Sequence, residues 1–294
     1  MLTQEILGRD AYLLTIELKL FWTIAALYVT AVPLFLLFTF TRLKSIGNLA
    51  RGILTGAATL HIILVIFRTF EGGRAPFQTL YESLSWFACS AAVTFLIVSR
   101  KWKDFRLPGA FVATLCAGAC FYALFGRDPA VEPLSPPLQS YWFESHVFLA
   151  FTSYAVFIVS CSIEASCLIL RPFLKRGMII ADGFTEESIR RYRRTSFNLV
   201  TFGFPLLTFC VFSGAAWANE AWGRYWSWDP KETWSLITWS VFTIYLHAYG
   251  IRKWRGNVAS YINILGFFCM MMTFLGVNWL AKILGIPSLH LYSV

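Results

Sequence analysis

Apolar residues in this chain fall into eight long runs that are separated by short polar connectors. A transmembrane helix needs roughly 20 mostly apolar residues, and each run is of that order. We therefore predict an all-α, polytopic membrane protein with about eight transmembrane helices. The predicted helices cover residues 20–40, 53–70, 83–99, 108–125, 144–170, 196–216, 233–250 and 258–281.

Lysine and arginine are concentrated in every second connector. Of the 25 basic residues, 17 lie in four connectors, at 41–52, 100–106, 171–194 and 251–256. Because basic loops stay on the cytoplasmic side of a membrane, we predict that these connectors are cytoplasmic and that both termini lie on the outer side. The third connector is also predicted to form an amphipathic helix after a cap at Thr185, with Ser188 as another possible start.

Composition narrows the class of protein further. Hydrophobic residues make up 57% of the 294 residues and charged residues 14%, which is typical of membrane proteins. The net charge of +9 does not indicate nucleic-acid binding, because the basic residues cluster between apolar runs. The seven cysteines lie inside apolar runs without a CxxC pair, so we interpret them as packing residues rather than as disulfide or zinc-site residues.

One segment is rich in tryptophan. Residues 217–239 contain six of the twelve tryptophans, and the segment joins the sixth and seventh runs on the predicted outer side. We expect a flat aromatic surface there, suited to a planar apolar ligand. Asp229 and Pro230 within the segment are predicted to start the seventh helix. The whole chain, 1–294, is interpreted as a single integral-membrane domain that contains this segment.

The predicted topology divides the four histidines into two pairs by their depth in the membrane. His146 begins the fifth run and His290 follows the last one, so both are predicted to lie on the outer side with the tryptophans. Two imidazoles on either side of a planar ring system can ligate haem iron, with indoles packing on the porphyrin and cations near its propionates. The alternative is that each is an ordinary polar anchor at the membrane interface.

His61 and His247 lie inside apolar runs, in the predicted inner half of the membrane. Ionisable side chains there are costly and are therefore functional candidates. We expect a second planar ligand at this level, bound by His247; for His61, a hydrogen bond between helices is an equal alternative to ligation. Arg224, Arg68 and Arg74 are candidate partners for ligand carboxylates or are interfacial anchors.

Two stretches resemble a known family. WGRYWSWDPKETW, from Trp222 to Trp234, is similar to the tryptophan-rich WWD signature of the haem-handling proteins of cytochrome c biogenesis. RAPFQTLYESLSW, from Arg74 to Trp86, resembles a further segment of these proteins. With its size, its eight runs and its flanking histidines, the chain is most similar to the CcsA (ResC) family, the haem-handling subunit of the System II cytochrome c synthase. The resemblance covers nearly the whole chain.

This resemblance implies that the chain carries haem to the outer membrane face and presents it for thioether attachment to the CxxCH motif of apocytochrome c. It implies that His146 and His290 are axial ligands of the outer haem iron. It also implies that His247 is a ligand within the membrane, where His61 or a histidine of the partner subunit completes the site. The implied haem-binding surface comprises Trp217, Trp222, Arg224, Trp226, Trp228 and Asp229.

The resemblance further implies haem b as the bound substrate, with the CcsB (Ccs1) subunit and apocytochrome c as partners in the lipid bilayer. Cytochrome c synthase (haem lyase) activity is expected only of the complex with CcsB, and no catalytic residue is assigned to this chain. No nucleic-acid partner is expected. The implied location is the bacterial inner (cytoplasmic) membrane, with the active face outside, or the thylakoid membrane of a plastid.

Two other classes of function stay open on the residues alone. One is a bis-haem membrane protein that transfers electrons, which usually carries paired histidines within paired spans, whereas two of the four histidines here lie in predicted outer loops. The other is a transporter or assembly subunit that binds no haem. A c-type cytochrome is excluded, because the sequence contains no CxxCH motif.

Overall fold

The computed structural model describes residues 2–102, 106–126, 128–129, 134–177 and 184–284. Regular structure in these residues is entirely helical, with two short 3₁₀ turns at Ser99–Lys101 and Pro136–Leu138 and a π-helical segment at Met272–Gly276. The α-helices in these ranges are α1 (Leu2–Thr41), α2 (Lys44–Gly72), α3 (Leu80–Val98), α4 (Leu107–Gly126), α5 (Tyr141–Lys175), α6 (Glu186–Trp222), α7 (Pro230–Gly250), α8 (Asn257–Met271) and α9 (Val277–Leu284).

Each of the eight predicted runs lies in helical structure. Within the described part of the chain, seven helices are long and apolar enough to cross a membrane. The run at 233–250 forms α7 as predicted, but it is not among those seven, because threonine, serine and tryptophan interrupt its aliphatic positions. The all-helical, polytopic prediction is confirmed. The side of the membrane on which the termini lie stays a prediction.

Local capping chemistry determines where α6 begins. The Thr185 hydroxyl accepts a hydrogen bond from the Ser188 backbone N–H at 3.3 Å, which is the side-chain cap that a helix start requires. α6 then continues without a break to Trp222. The predicted amphipathic helix and the sixth apolar run are therefore parts of one long helix.

The described helices pack into two compact units. The first comprises the described parts of Met1–Ile97 and Gly109–Leu134, and the second comprises those of Val98–Pro108 and Ser135–Val294. Each unit has its own buried core. The single domain over 1–294 stays a prediction.

The first unit buries a cluster of charged side chains. Arg68 on α2 donates to Glu17 on α1 at 3.0 Å and pairs with Glu82 on α3 at 3.4 Å. Arg74 pairs with the same Glu82 carboxylate at 3.1 Å, and Tyr81 donates to Glu17 at 3.1 Å. The cluster joins three helices. Arg68 and Arg74 both pair with protein carboxylates, and their role as partners of ligand carboxylates stays a prediction.

Glu82 also organises the turn before α3. Its carboxylate accepts from the backbone N–H groups of Gln78 at 2.9 Å and Thr79 at 3.3 Å. The Thr79 hydroxyl in turn accepts from the N–H of Glu82 at 3.2 Å. This reciprocal arrangement is a capping box, and it satisfies amides that have no partner within the helix.

The core of the second unit combines aromatic packing with hydroxyl hydrogen bonds. Phe157 on α5 stacks on Phe242 of α7 with 3.9 Å between ring centroids. The hydroxyls of Ser160 on α5 and Ser196 on α6 are 2.8 Å apart, and Asn263 on α8 donates to Ser160 at 2.8 Å. These contacts hold α6, α7 and α8 against α5.

The last predicted span contains the π-helical segment. α8 continues into Met272–Gly276 and then into α9. Gly276 lies where a Cβ would overlap the Met272 sulfur. A side chain at this position would require the Met272 side chain to move.

Replacing Arg68 by methionine should destabilise the protein. The substitution leaves Glu17 and Glu82 buried without this cation, and breaking a buried ion pair costs about 3–5 kcal/mol. We expect a lower melting temperature of the purified protein in detergent. Arg190→Met is the control, because Arg190 is exposed on α6. Adding Glu17→Gln to Arg68→Met should recover part of the loss, and an unchanged melting temperature in Arg68→Met would contradict this role of the cluster.

Candidate functional site

His146 lies in the second turn of α5 and faces α6. Its Nδ1 lies 2.8 Å from the backbone carbonyl oxygen of Cys210 and 3.4 Å from the Cys210 sulfur. A carbonyl oxygen only accepts, so Nδ1 donates this hydrogen bond and carries the proton of the neutral ring. The lone pair is then on Nε2. A metal-binding histidine typically has its other ring nitrogen held in this way.

Gly214 allows the imidazole to lie this close to α6. A Cβ at Gly214 would lie 2.8 Å from both Cε1 and Nδ1 of His146, which is closer than packed carbon atoms approach. Cys210, Gly214 and Trp217 follow one another at helical spacing and so lie on one face of α6. That face is the wall against which the His146 ring is placed.

Trp217 supports the histidine from within the protein. Its ring lies 6.1 Å from the His146 ring at an interplanar angle of 25°. Its indole N–H donates to the Pro137 carbonyl at 2.8 Å, and the side chain is only 3% exposed. Trp217 also contacts Trp222 at 5.1 Å, with the two rings inclined by 66°.

The tryptophans of the segment do not form one flat surface. The rings of Trp226 and Trp228 are nearly perpendicular, at 87°, with 5.9 Å between centroids. Trp239 lies on α7 and donates to Thr208 of α6 at 2.9 Å, so it connects two helices. The expectation of a flat aromatic surface is therefore wrong. The exposed aromatic area comes mainly from Tyr225 and Trp228.

The start of α7 fixes one end of this segment. The Asp229 carboxylate accepts from the Lys231 backbone N–H at 2.9 Å, and Pro230 occupies the first helical turn. The predicted helix start is confirmed. Asp229 is buried, whereas Arg224 is exposed between the two helices.

His247 is exposed near the end of α7. Its Nδ1 donates to the Thr243 carbonyl at 2.9 Å, so the lone pair of the neutral ring is again on Nε2. The second unit therefore presents a histidine with this tautomer on its surface.

His61 is fully buried in the first unit. The Tyr28 hydroxyl lies 3.1 Å from its Nδ1, and the Ser85 hydroxyl lies 2.9 Å from its Nε2. Both ring nitrogens thus have protein partners, on α1 and α3. The structure contains the hydrogen bonds between helices that the sequence offered as the alternative to ligation.

His290 lies outside the described residues, so its place opposite His146 stays a prediction. Among the residues that are described, no group of three or more histidine, cysteine, aspartate or glutamate side chains is arranged to hold a metal ion.

The sequence reasoning missed Cys210, Gly214 and Lys231. The first two could have been found from their spacing to Trp217, because these positions share one helical face. Lys231 is half-buried. Burial lowers the pKa of its ammonium group, and the neighbouring Asp229 carboxylate opposes this shift.

These observations define a class: a polytopic helical membrane protein in which a histidine and a tryptophan-rich segment meet beside two long helices. The family described as "Cytochrome C assembly protein" matches residues 77–285 of the chain. The chain belongs to this family, and its function is in cytochrome c biogenesis.

Relatives called "Cytochrome c biogenesis protein CcsA" are similar over most of their length. The protein of Synechococcus sp. (strain RCC307) is 33% identical over 273 residues, covering 85% of this chain and 86% of that protein. The protein of Guillardia theta is 32% identical over 289 residues, covering 92% and 94%. That of Gloeobacter violaceus is 31% identical over 325 residues, covering 92% and 93%. The resemblance to the CcsA family is confirmed.

A solved structure titled "Cytochrome c Heme Lyase CcmF" has a similar fold, with a TM-score of 0.64. The match covers 94% of this chain at 18% identity. The chain spans only half of that protein, 50% of its length. The likeness concerns the fold.

Replacing Gly214 by alanine should displace the His146 ring from the Cys210 carbonyl, because the added Cβ would lie 2.8 Å from two ring atoms. Nitrogen-15 NMR of histidine-labelled protein reports which ring nitrogen is protonated. We expect the Nδ1-protonated signal of His146, assigned by its loss in His146→Gln, to shift or disappear. Gly118→Ala is the control, since no atom lies within 4 Å of its Cβ position. A His146 signal that stays in place in Gly214→Ala would argue against the close approach.

Proposed function

We propose that this chain binds haem beside His146 and presents it to apocytochrome c for thioether attachment. The observation that carries the proposal is the Cys210 carbonyl, which keeps the proton of His146 on Nδ1 at 2.8 Å. Membership of a cytochrome c assembly family supplies the context. The bound substrate is haem b, and His290 is its second axial ligand.

His146 and the described residues of the tryptophan-rich segment fit this substrate. A neutral imidazole with its lone pair on Nε2 is a ligand for haem iron. Trp222, Trp226 and Trp228 supply indole surface for a porphyrin, and the exposed Arg224 guanidinium is suited to a propionate carboxylate. Haem itself supplies the vinyl groups to which the apocytochrome thiols are added.

This chain contributes positioning rather than proton transfer. The Cys210 carbonyl fixes the His146 tautomer and Gly214 fixes its distance from α6, so the ring does not have to reorient when it binds iron. A thiolate is already a strong nucleophile. Holding the reactants in the correct geometry is therefore the main contribution to rate. We assign the synthase activity to the complex of this chain with CcsB.

A second haem position within the membrane is bound through His247. This side chain lies on the surface of its unit, where a ligand from another chain can reach the same haem, and we assign that opposite ligand to CcsB. His61 is left out of this site, since both of its ring nitrogens have hydroxyl partners. The membrane is the bacterial inner membrane, or the thylakoid membrane if the protein is plastidic.

Replacing His146 or His290 by alanine should abolish haem presentation. With CcsB co-expressed, we expect each variant to lose most of its Soret absorbance on purification and to yield no holocytochrome c. Added imidazole should restore part of the absorbance, because it replaces the missing ligand. Glu144→Gln is the matched control, an exposed position on the same turn of α5. Normal holocytochrome yield from both histidine variants would refute the proposal.

Replacing His247 and His61 should separate ligation from packing. His247→Ala should reduce the haem bound by the complex with CcsB and leave the melting temperature of the chain unchanged, because its side chain is exposed. His61→Phe should lower the melting temperature, since two buried hydroxyls lose a partner at a cost of about 1–3 kcal/mol. The same measurements made on both variants decide the assignment. The opposite pattern would transfer the ligand role to His61.

A further inference from the structure

Trp228 has a backbone conformation that is rare for a bulky residue. Its φ is +60°, in the left-handed region where a Cβ clashes with the following peptide. Such a conformation persists only where surrounding contacts impose it. The indole is 68% exposed, so packing of the side chain does not supply those contacts.

Glu232 supplies contacts on both sides of Trp228. Its Oε2 accepts from the backbone N–H of Ser227 at 2.7 Å and from that of Asp229 at 3.2 Å. The Ser227 hydroxyl also lies 3.3 Å from each carboxylate oxygen. A single carboxylate oxygen therefore accepts from the backbone N–H groups of the two residues that flank the tryptophan.

These contacts exceed what capping α7 requires. In a capping box, the only bond that Glu232 has to make is to accept from the N–H of Asp229, the cap residue. The two bonds to Ser227 lie outside the helix and close a tight loop over one residue. The N–H groups of both flanking residues thus point to Glu232, while the Trp228 side chain is exposed and its ring lies at 87° to that of Trp226.

We infer that Glu232 is a positioning residue, which holds the Trp228 indole in its exposed orientation by binding the backbone N–H groups of the two flanking residues. The inference rests on the proposed function, because it is the haem-contacting role of Trp228 that gives this orientation its purpose. Glu232 itself does not contact the haem.

The orientation of Trp228 can be tested without haem, by fluorine NMR of protein labelled with 5-fluorotryptophan. The Trp228 signal is assigned by its loss in Trp228→Phe. Glu232→Ala should shift or broaden this signal, and Glu232→Asp, one methylene shorter, should do the same and serves if the alanine variant does not fold. Glu232→Gln should leave the signal in place, because one amide oxygen can still accept from both backbone N–H groups. An unmoved Trp228 signal in Glu232→Ala and Glu232→Asp overturns the inference.

Haem retention in the complex with CcsB tests whether this orientation of Trp228 matters for haem binding. Glu232→Ala and Trp228→Ala should each retain about tenfold less haem, equivalent to about 1.4 kcal/mol, and the double variant should retain no less than Trp228→Ala. Such non-additivity is expected when two changes remove one contact. Glu232→Gln should rescue retention, and Glu144→Ala is the charge-matched control. If the losses of haem retention in the two single variants add up in the double variant, the inference is overturned. If wild type and Trp228→Ala retain equal haem, the haem role of Trp228 is overturned, and the NMR result alone decides whether Glu232 positions Trp228.

Discussion

Backbone N–H groups at the start of a helix have no acceptor in the helical hydrogen-bond ladder and need other partners. In each unit, one glutamate in the first turn of a helix supplies them. Glu82 accepts from two amides of the turn before α3, and Glu232 accepts from two amides of the segment before α7. The turn that follows α2 and the tryptophan segment that follows α6 both depend on these carboxylates for their conformation.

Hydropathy and capping chemistry could be read from the sequence because both are local. The eight helical runs reflect sums over neighbouring residues, and the caps at Thr185 and Asp229 depend on amides within three positions. Partners across helices could not be predicted in this way. His61 and Tyr28 are 33 positions apart and Arg68 and Glu17 are 51 apart. Only helix packing selects these pairs from the other polar residues.

The three described histidines show that hydrogen-bond partners, rather than position in a span, separate their roles. His146 and His247 each donate from Nδ1 to a backbone carbonyl, which leaves Nε2 as the basic nitrogen. His61 meets a hydroxyl at each nitrogen and joins helices. The topology predicted from the charge distribution put His146 on the same side as the tryptophans. It carried no information about the tautomer or the ring angle of the histidine, because these depend on atoms such as the Cys210 carbonyl.

The π-helical turn at Met272–Gly276 rotates the helix face of the residues that follow it in the last span. It carries one residue more than an α-helical turn, and each residue advances a helix by about 100°. The apolar stripe of α9 is therefore rotated relative to that of α8, so that Val277 is buried while Trp279 is 65% exposed. Loss of one residue from this turn would cancel the rotation. The register of the turn thus determines which side chains of α9 are buried and which are exposed.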